Sequence, residues 1–192
     1  MIVELDRIIM RIAIKQLSDW QESGIYNGSL SLNLAIKQLE KDDFAEFLQE
    51  LLKEYSVSTH SIELEVTESG LMLNPEESVK QLNALKELGI KISIDDFGTG
   101  YSSLSYIKQL PVSKIKIDKS FINELPENSE DVMIVKTVIS LAKNLDLEII
   151  AEGVETKEQN DFMFENECHL IQGYYHSKPI CSKDTEEFLK SF

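Results

Sequence analysis

Strand-like and helix-like stretches alternate from one end of this chain to the other, and that alternation limits the fold more than any other feature. β-Branched or alternating runs occupy residues 29–35, 62–67, 90–94, 114–117, 147–151 and 169–172. Each is followed by a helical pattern or a short helical turn. Repeated strand–helix units require a parallel sheet with helices outside. Two architectures satisfy this, an open doubly wound layer and a (β/α) barrel, and in both the ligand meets the C-terminal ends of the strands. With 192 residues and no linker or low-complexity stretch, the chain is expected to be one domain with a substantial core.

The helices carry their own signals. Ile8, Ile9, Ile12, Leu17 and Trp20 follow one helical stripe, with no N-cap residue ahead of it. Phe44, Phe47, Leu48, Leu51 and Leu52 recur at helical spacing. Asn74, Pro75 and Glu77 predict a helix start with a capping box, and Gly89 predicts a left-handed stop. Further helices are predicted over 104–109, 130–145, 157–167 and 184–192.

Polar residues collect at the predicted strand exits: Asn33, Glu65, Asp95, Asp96, Lys116, Glu152 and Gln172. The richest exit is Ile92-Ser93-Ile94-Asp95-Asp96, which runs into a glycine-punctuated loop. Two adjacent carboxylates there are costly without a cation or a tight hydrogen-bond network. Asn33, Glu65, Asp95 and Asp96 are hard oxygen donors, suited to magnesium, manganese or calcium rather than zinc. Adjacent carboxylates can bridge two cations about 4 Å apart, an arrangement that clamps both oxygens of an in-line phosphoryl displacement. Lys116 is suited to neutralising a phosphate oxygen or holding a hydroxide, and Glu152 to ligating a metal or accepting a proton.

Each of these residues also has a plainer role. Glu65 and Lys116 can be solvated strand residues, Asn33 a turn former, and Asp95-Asp96 a capping turn. Glu152 and Glu155 can cap the following helix, and Gln172 can bond backbone before Gly173. Their joint placement at the strand ends of one sheet favours a site. Gly98 and Gly100 read as hinge points of a mobile loop over it. Asp118 either contacts a ligand or caps a turn, and Tyr174 and Tyr175 either stack on a base or fill space at the rim. His60, His169 and His176 lack ligand spacing and read as structural.

A net charge of −15 argues against a nucleic-acid polymer as partner. It leaves room for a small phosphorylated ligand held through cations. No apolar run approaches a membrane span and no signal peptide is visible, so no membrane contact and a cytoplasmic location are expected. Cys168 and Cys181, 13 positions apart without metal spacing, read as two buried, inert thiols.

Taken together, these residues resemble the EAL domain family of cyclic di-GMP phosphodiesterases. The segments that carry the resemblance are Leu32-Asn33-Leu34 with Gln38, Glu63-Leu64-Glu65-Val66-Thr67-Glu68-Ser69, and the 95–103 loop. Lys116-Ile117-Asp118, Ala151-Glu152-Gly153-Val154-Glu155-Thr156 and Gln172-Gly173-Tyr174-Tyr175 through Lys178-Pro179 complete it. Asp95 follows Glu65 by 30 residues, Lys116 follows Asp95 by 21, and Gln172 follows Glu152 by 20.

The resemblance implies an α/β fold, a TIM-like (β/α) barrel whose first strand runs antiparallel to the rest. It implies Asn33, Glu65, Asp95 and Asp96 as metal ligands and Lys116 and Glu152 as catalytic residues acting on the attacking water. Gln172 would complete the site, and Asp118 and Glu155 would contact the substrate. Glu68 would anchor the loop that follows Asp96. The implied reaction is hydrolysis of cyclic di-GMP to the linear dinucleotide with Mg2+ or Mn2+.

The Glu-Ala-Leu signature that names the family is absent from this sequence. The family carries that Glu, a further metal ligand, and a phosphate-binding Arg upstream of the position of Met1. The expectation is therefore a single EAL-type barrel over 1–192, incomplete at its N-terminus, with about six of eight strands. Impaired activity and self-association through an uncovered barrel edge follow from that reading. The alternative is a catalytically inactive cyclic di-GMP receptor or a protein-interaction scaffold.

Overall fold

The computed structural model of the chain describes residues 1–100 and 104–191. Its first half runs α1 (Ile2–Glu22), β1 (Leu30–Asn33), α2 (Ile36–Leu39), α3 (Phe44–Glu54), β2 (Ile62–Thr67), α4 (Glu68–Leu71) and α5 (Pro75–Glu87). The second half runs β3 (Lys91–Phe97), α6 (Leu104–Ile107), β4 (Lys114–Ile117), α7 (Ser129–Asn144), β5 (Glu148–Glu152), α8 (Lys157–Glu165), β6 (Leu170–Gln172) and α9 (Ser182–Leu189). The strands take the order β1-β2-β3-β4-β5-β6. Among the described residues there are six strands joined through helices, as the alternation predicts. The residues group into two compact units, 1–66 with 73–92 and 180–192, and 67–72 with 93–179.

In the first unit β1 and β2 pair in parallel, with Leu32 opposite Leu64 and Asn33 opposite Glu65. Helix α3 buries Phe44, Leu48, Leu51 and Leu52, as its spacing predicts. Helix α1 departs from prediction. Its buried face is Met10, Ile14, Leu17 and Ser18, whereas Ile8, Ile9 and Ile12 are 55%, 52% and 65% exposed. Met10, Ile14 and Leu17 form an i, i+4, i+7 face of their own, and packing rather than apolar count selects it. The start of α5 differs too. Pro75 opens it, but Asn74 makes no side-chain cap. The Glu77 carboxylate instead accepts from the Gln81 amide at 2.7 Å and the Lys80 ammonium at 3.2 Å. Gly89 does stop the helix, with φ +87°. His60 packs on it, Nδ1 lying 3.0 Å from the Gly89 carbonyl oxygen.

In the second unit β3, β4, β5 and β6 pair in parallel. Ile115, Ile117, Ala151, Val154, Met163 and Cys168 are buried there beside Val135 and Ala142 of α7. Asn128 caps α7, accepting from the Glu130 and Asp131 N–H groups, a cap the sequence reading missed. Thr156 caps α8 in a capping box with Gln159, so neither Glu152 nor Glu155 is the cap. Cys168 is buried as expected, whereas Cys181 is exposed. Among the described residues no helix is long and apolar enough to cross a membrane.

Candidate active site

The second unit brings four sequence-predicted site residues together at the C-terminal ends of β3, β4 and β5. Lys116 Nζ lies 2.9 Å from Asp95 Oδ1 and 2.6 Å from Glu152 Oε1. Asp95, Asp96 and Glu152 each offer one carboxylate oxygen, and these oxygens all lie within 4.8 Å of one another. Regular strand pleating would send Asp95 and Asp96 to opposite faces. Two local features change that. The β3–β4 register shifts between Ile94 and Phe97, so an irregularity falls on the acidic pair. Asp96 also takes the left-handed conformation, φ +54°, which Asp tolerates better than most residues.

Lys116 is buried, which rules out a solvated strand residue. An ammonium withdrawn from water persists only against anions, and here Asp95 and Glu152 stand against it. Burial pushes the Asp96 carboxyl above its usual range, helped by the charges of Asp95 and Asp118 and a hydrogen bond with Asp118; Lys116 acts against the rise. Asp118 shows the opposite balance. Burial opposes its charge, but hydrogen bonds from Ser120 and Asp96 and the charge of Lys119 hold it below the usual range. Its carboxylate accepts from the Ser120 N–H at 2.9 Å, so Asp118 does cap a turn.

The loop after β3 is tied to α4 within the same unit. The Gly98 N–H donates to Glu68 Oε2 at 2.8 Å. Gly98 has φ +99°, and a Cβ there would lie 2.9 Å from the Phe121 ring. Thr99 Oγ1 donates to the Asp96 carbonyl at 2.8 Å. Residues 101–103 of the predicted loop lie outside the described residues, so its expected mobility does too.

At the last strand, Gln172 is the Cα partner of Glu152. Gln172 and Glu155 are both exposed. In the first unit Asn33 and Glu65 are Cα partners at the ends of β1 and β2. Glu65 is buried, as is Glu63, so the simple alternation that would leave them facing water does not hold. Asn33 ends a strand rather than forming a turn. The sequence reading missed Thr99 and Ser120, which brace the acidic residues. The Asp-x-Ser and Asp-x-x-Thr spacings carried that signal.

Parallel β/α units with carboxylates and one buried lysine at the strand ends define a metal-site class of α/β protein, and three clustered carboxylates fit a hard divalent cation. The chain belongs to the EAL domain family, which it matches over residues 1–179. It is 38% identical over all of its residues to the cyclic di-GMP phosphodiesterase NbdA of Pseudomonas aeruginosa, spanning 24% of that protein. The chain thus spans about a quarter of the length of the curated relatives it matches. Among solved structures it resembles the EAL domain of Mycobacterium smegmatis DcpA, with TM-score 0.93 and 39% identity over 98% of this chain and 85% of that one. It also resembles the PaMucR phosphodiesterase in complex with c-di-GMP, with TM-score 0.91 and 37% identity over 96% and 74%. A third structure, Klebsiella pneumoniae BlrP1, contains manganese and cyclic di-GMP; TM-score is 0.85 and identity 26% over 94% and 45%. The α/β, TIM-like fold class expected from the sequence is the observed one.

Proposed function

We propose that this chain is the hydrolytic unit of a cyclic di-GMP phosphodiesterase, cleaving one phosphodiester of the cyclic dinucleotide to yield the linear product. The observation that carries this reading is the buried Lys116 ammonium held between Asp95 and Glu152 beside Asp96. The activity named for NbdA and the ligand named for PaMucR, both above 35% identity, support it. Residues 1–192 are read as one EAL-type domain.

Asp95 and Asp96, with Asn33 and Glu65, would hold magnesium or manganese, and Glu152 lies close enough to Asp95 and Asp96 to share in it. A cation bound there supplies an acidified water and offsets charge on the phosphate. Lys116 orients Asp95 and Glu152 and presents positive charge to a non-bridging phosphate oxygen. Glu152 accepts the proton of the attacking water. The water oxygen bonds to phosphorus, one ester P–O bond breaks, and the released ribose oxygen takes up a proton. Asp118, Glu155 and Gln172 contact the substrate. Glu68 holds the loop after β3 through Gly98, which couples loop order to the state of Asp96.

The test is mass spectrometry of cyclic di-GMP incubated with the folded chain and manganese or magnesium. Linear dinucleotide forms with metal and is abolished by chelator. Binding without turnover in both metals overturns the hydrolytic reading and favours a receptor.

A further inference from the structure

Asn33, which the proposed function makes a metal ligand, is exposed at the end of β1, and the chain beyond it forms a single helical turn, α2. A helix of four residues does not hold its shape alone, because nucleation is unfavourable. Its N-cap residue, Ala35, makes no side-chain cap. The elements that fix α2, and with it the exit of β1, include α1 of the same compact unit, which packs against it.

Arg7 makes the connection. Gln38 of α2 is fully buried. With its amide oxygen turned to the guanidinium, Gln38 accepts from Arg7 Nε at 3.1 Å and from Nη2 at 3.2 Å. The guanidinium carbon stands 4.6 Å from the centroid of the Phe47 ring of α3. Nη2 also lies 2.6 Å from Asp43 Oδ1, but Asp43 is exposed, so that ion pair contributes little. The buried amide and the ring fix the plane of the guanidinium. Burial raises the neighbouring Asp6 carboxyl, and a hydrogen bond from the Ala35 backbone N–H counters the rise. Asp6 and Arg7 thus grip α2 at its cap and at its third residue.

The intervening segment is framed from the other side by β2. The Leu34 N–H donates to the Glu65 carbonyl at 2.8 Å, and Asn33 is the strand partner of Glu65. Asn33 therefore stands between a strand neighbour and a turn held by α1. The proposed hydrolysis gives neither Arg7 nor Gln38 a part.

We propose that Arg7 and Gln38 are positioning residues for Asn33: the guanidinium–amide fork sets the α2 turn, and that turn sets how Asn33 offers its amide oxygen to a divalent cation. The inference rests on the function proposed above and adds residues that touch neither metal nor substrate. A planar guanidinium supplies two donors in a fixed fork and a face for Phe47, and a lysine ammonium supplies neither. Groups that orient a ligand without meeting the metal carry a large share of its affinity.

Manganese alone, titrated into the whole chain and followed by electron paramagnetic resonance of the free ion, tests this on the parent, Arg7→Lys, Gln38→Leu and the double variant. Arg11→Lys is the control, since Arg11 Nη1 bonds Glu54 Oε2 at 2.8 Å, at the opposite end of α3. Arg7→Lys and Gln38→Leu each weaken manganese about tenfold. The double variant loses no more than either alone, because the two act as one unit. Arg11→Lys binds manganese as the parent does. Hydrogen exchange in the metal-free chain accelerates at Leu34 and Leu39 in the Arg7 and Gln38 variants, and exchange at Leu51 and Leu52 of α3 does not. Equal acceleration across α3 makes the pair merely structural and overturns the proposal. Parent-like manganese affinity in Arg7→Lys and Gln38→Leu overturns it as well, and leaves the hydrolytic reading intact. A parent chain that takes up no manganese overturns the metal site of the function proposed above, and the positioning role falls with it.

Discussion

Lys116 Nζ lies 2.6 Å from Glu152 Oε1, an ion pair between neighbouring parallel strands in which the lysine side chain is 3% exposed. Its strength depends on both partners, because removing one leaves a buried charge without an answer. Lys116→Met is expected to destabilise the metal-free chain by about 3–5 kcal/mol and to lower turnover of cyclic di-GMP at least a hundredfold. Manganese should restore part of the stability, since a bound cation replaces the lost positive charge. Thermal melts with and without metal, run beside the product assay, check both effects.

Asp96 is a carboxylate whose protonated form is favoured by burial and by Asp95 and Asp118. A folded-state value raised above the unfolded one adds stability below the unfolded value, and that stability is lost as pH rises through the folded one. Ionisation of Asp96, as pH rises through the folded value, therefore works against the metal-free fold. Asp96→Asn removes that charge and suits the left-handed backbone at φ +54°. The variant is expected to melt higher than the parent at pH values above the folded-state value of Asp96, to lose this advantage at acid pH, and to bind manganese at least tenfold more weakly. Melting curves at several pH values and a manganese titration decide it.

Glu68 is buried and accepts the Gly98 N–H at 2.8 Å. Glu68→Ala removes that acceptor and is expected to cost about 1–3 kcal/mol. If the loop after β3 depends on this bond, hydrogen exchange at Gly98 accelerates in the variant while exchange across β4 and β5 does not. Unchanged Gly98 exchange would contradict the anchoring role.

Gly173→Ala forces a Cβ to within 2.1 Å of a backbone oxygen, that of Val154, which has no side-chain freedom with which to yield. The expected loss is about 1–3 kcal/mol or more, with separation of the turn after β6 from Val154. Chemical denaturation measures the loss. Faster exchange of the Tyr175 amide, whose partner is the Val154 carbonyl, locates it.

Burial pushes the Cys168 thiol up to about 11, whereas Cys181 is exposed. Only the thiolate reacts with alkylating reagents. At pH 8 iodoacetamide should modify one thiol in the native chain, Cys181, and both in denaturant. Peptide mapping identifies the site. The raised value of Cys168 also means that its contribution to stability fades as pH climbs from 9 toward 11.

The sheet was legible because its signals are local. The periods of β2 and β4 and the apolar spacing of α3 each reside within one short segment, and these elements form where predicted. The positions of Asn33, Glu65, Asp95, Lys116 and Glu152 at strand ends were legible for the same reason. The buried face of α1 was not. Two apolar faces compete on that helix, and only packing against other elements chooses between them. The buried state of Glu65 was hidden as well, because an alternating strand reads identically with one face covered or with both.

By itself the sequence determined the order of β and α units and the chemical types delivered to the strand ends, because propensity and periodicity act over a few residues. Tertiary structure alone decided that Asp95 and Asp96 reach the same cluster. The irregular β3–β4 register and the left-handed Asp96 turn neighbouring carboxylates together, and both depend on the partner strand rather than on β3 itself. It likewise decided that Lys116 is buried between two anions, since charge pairing across strands exists only once the strands have met.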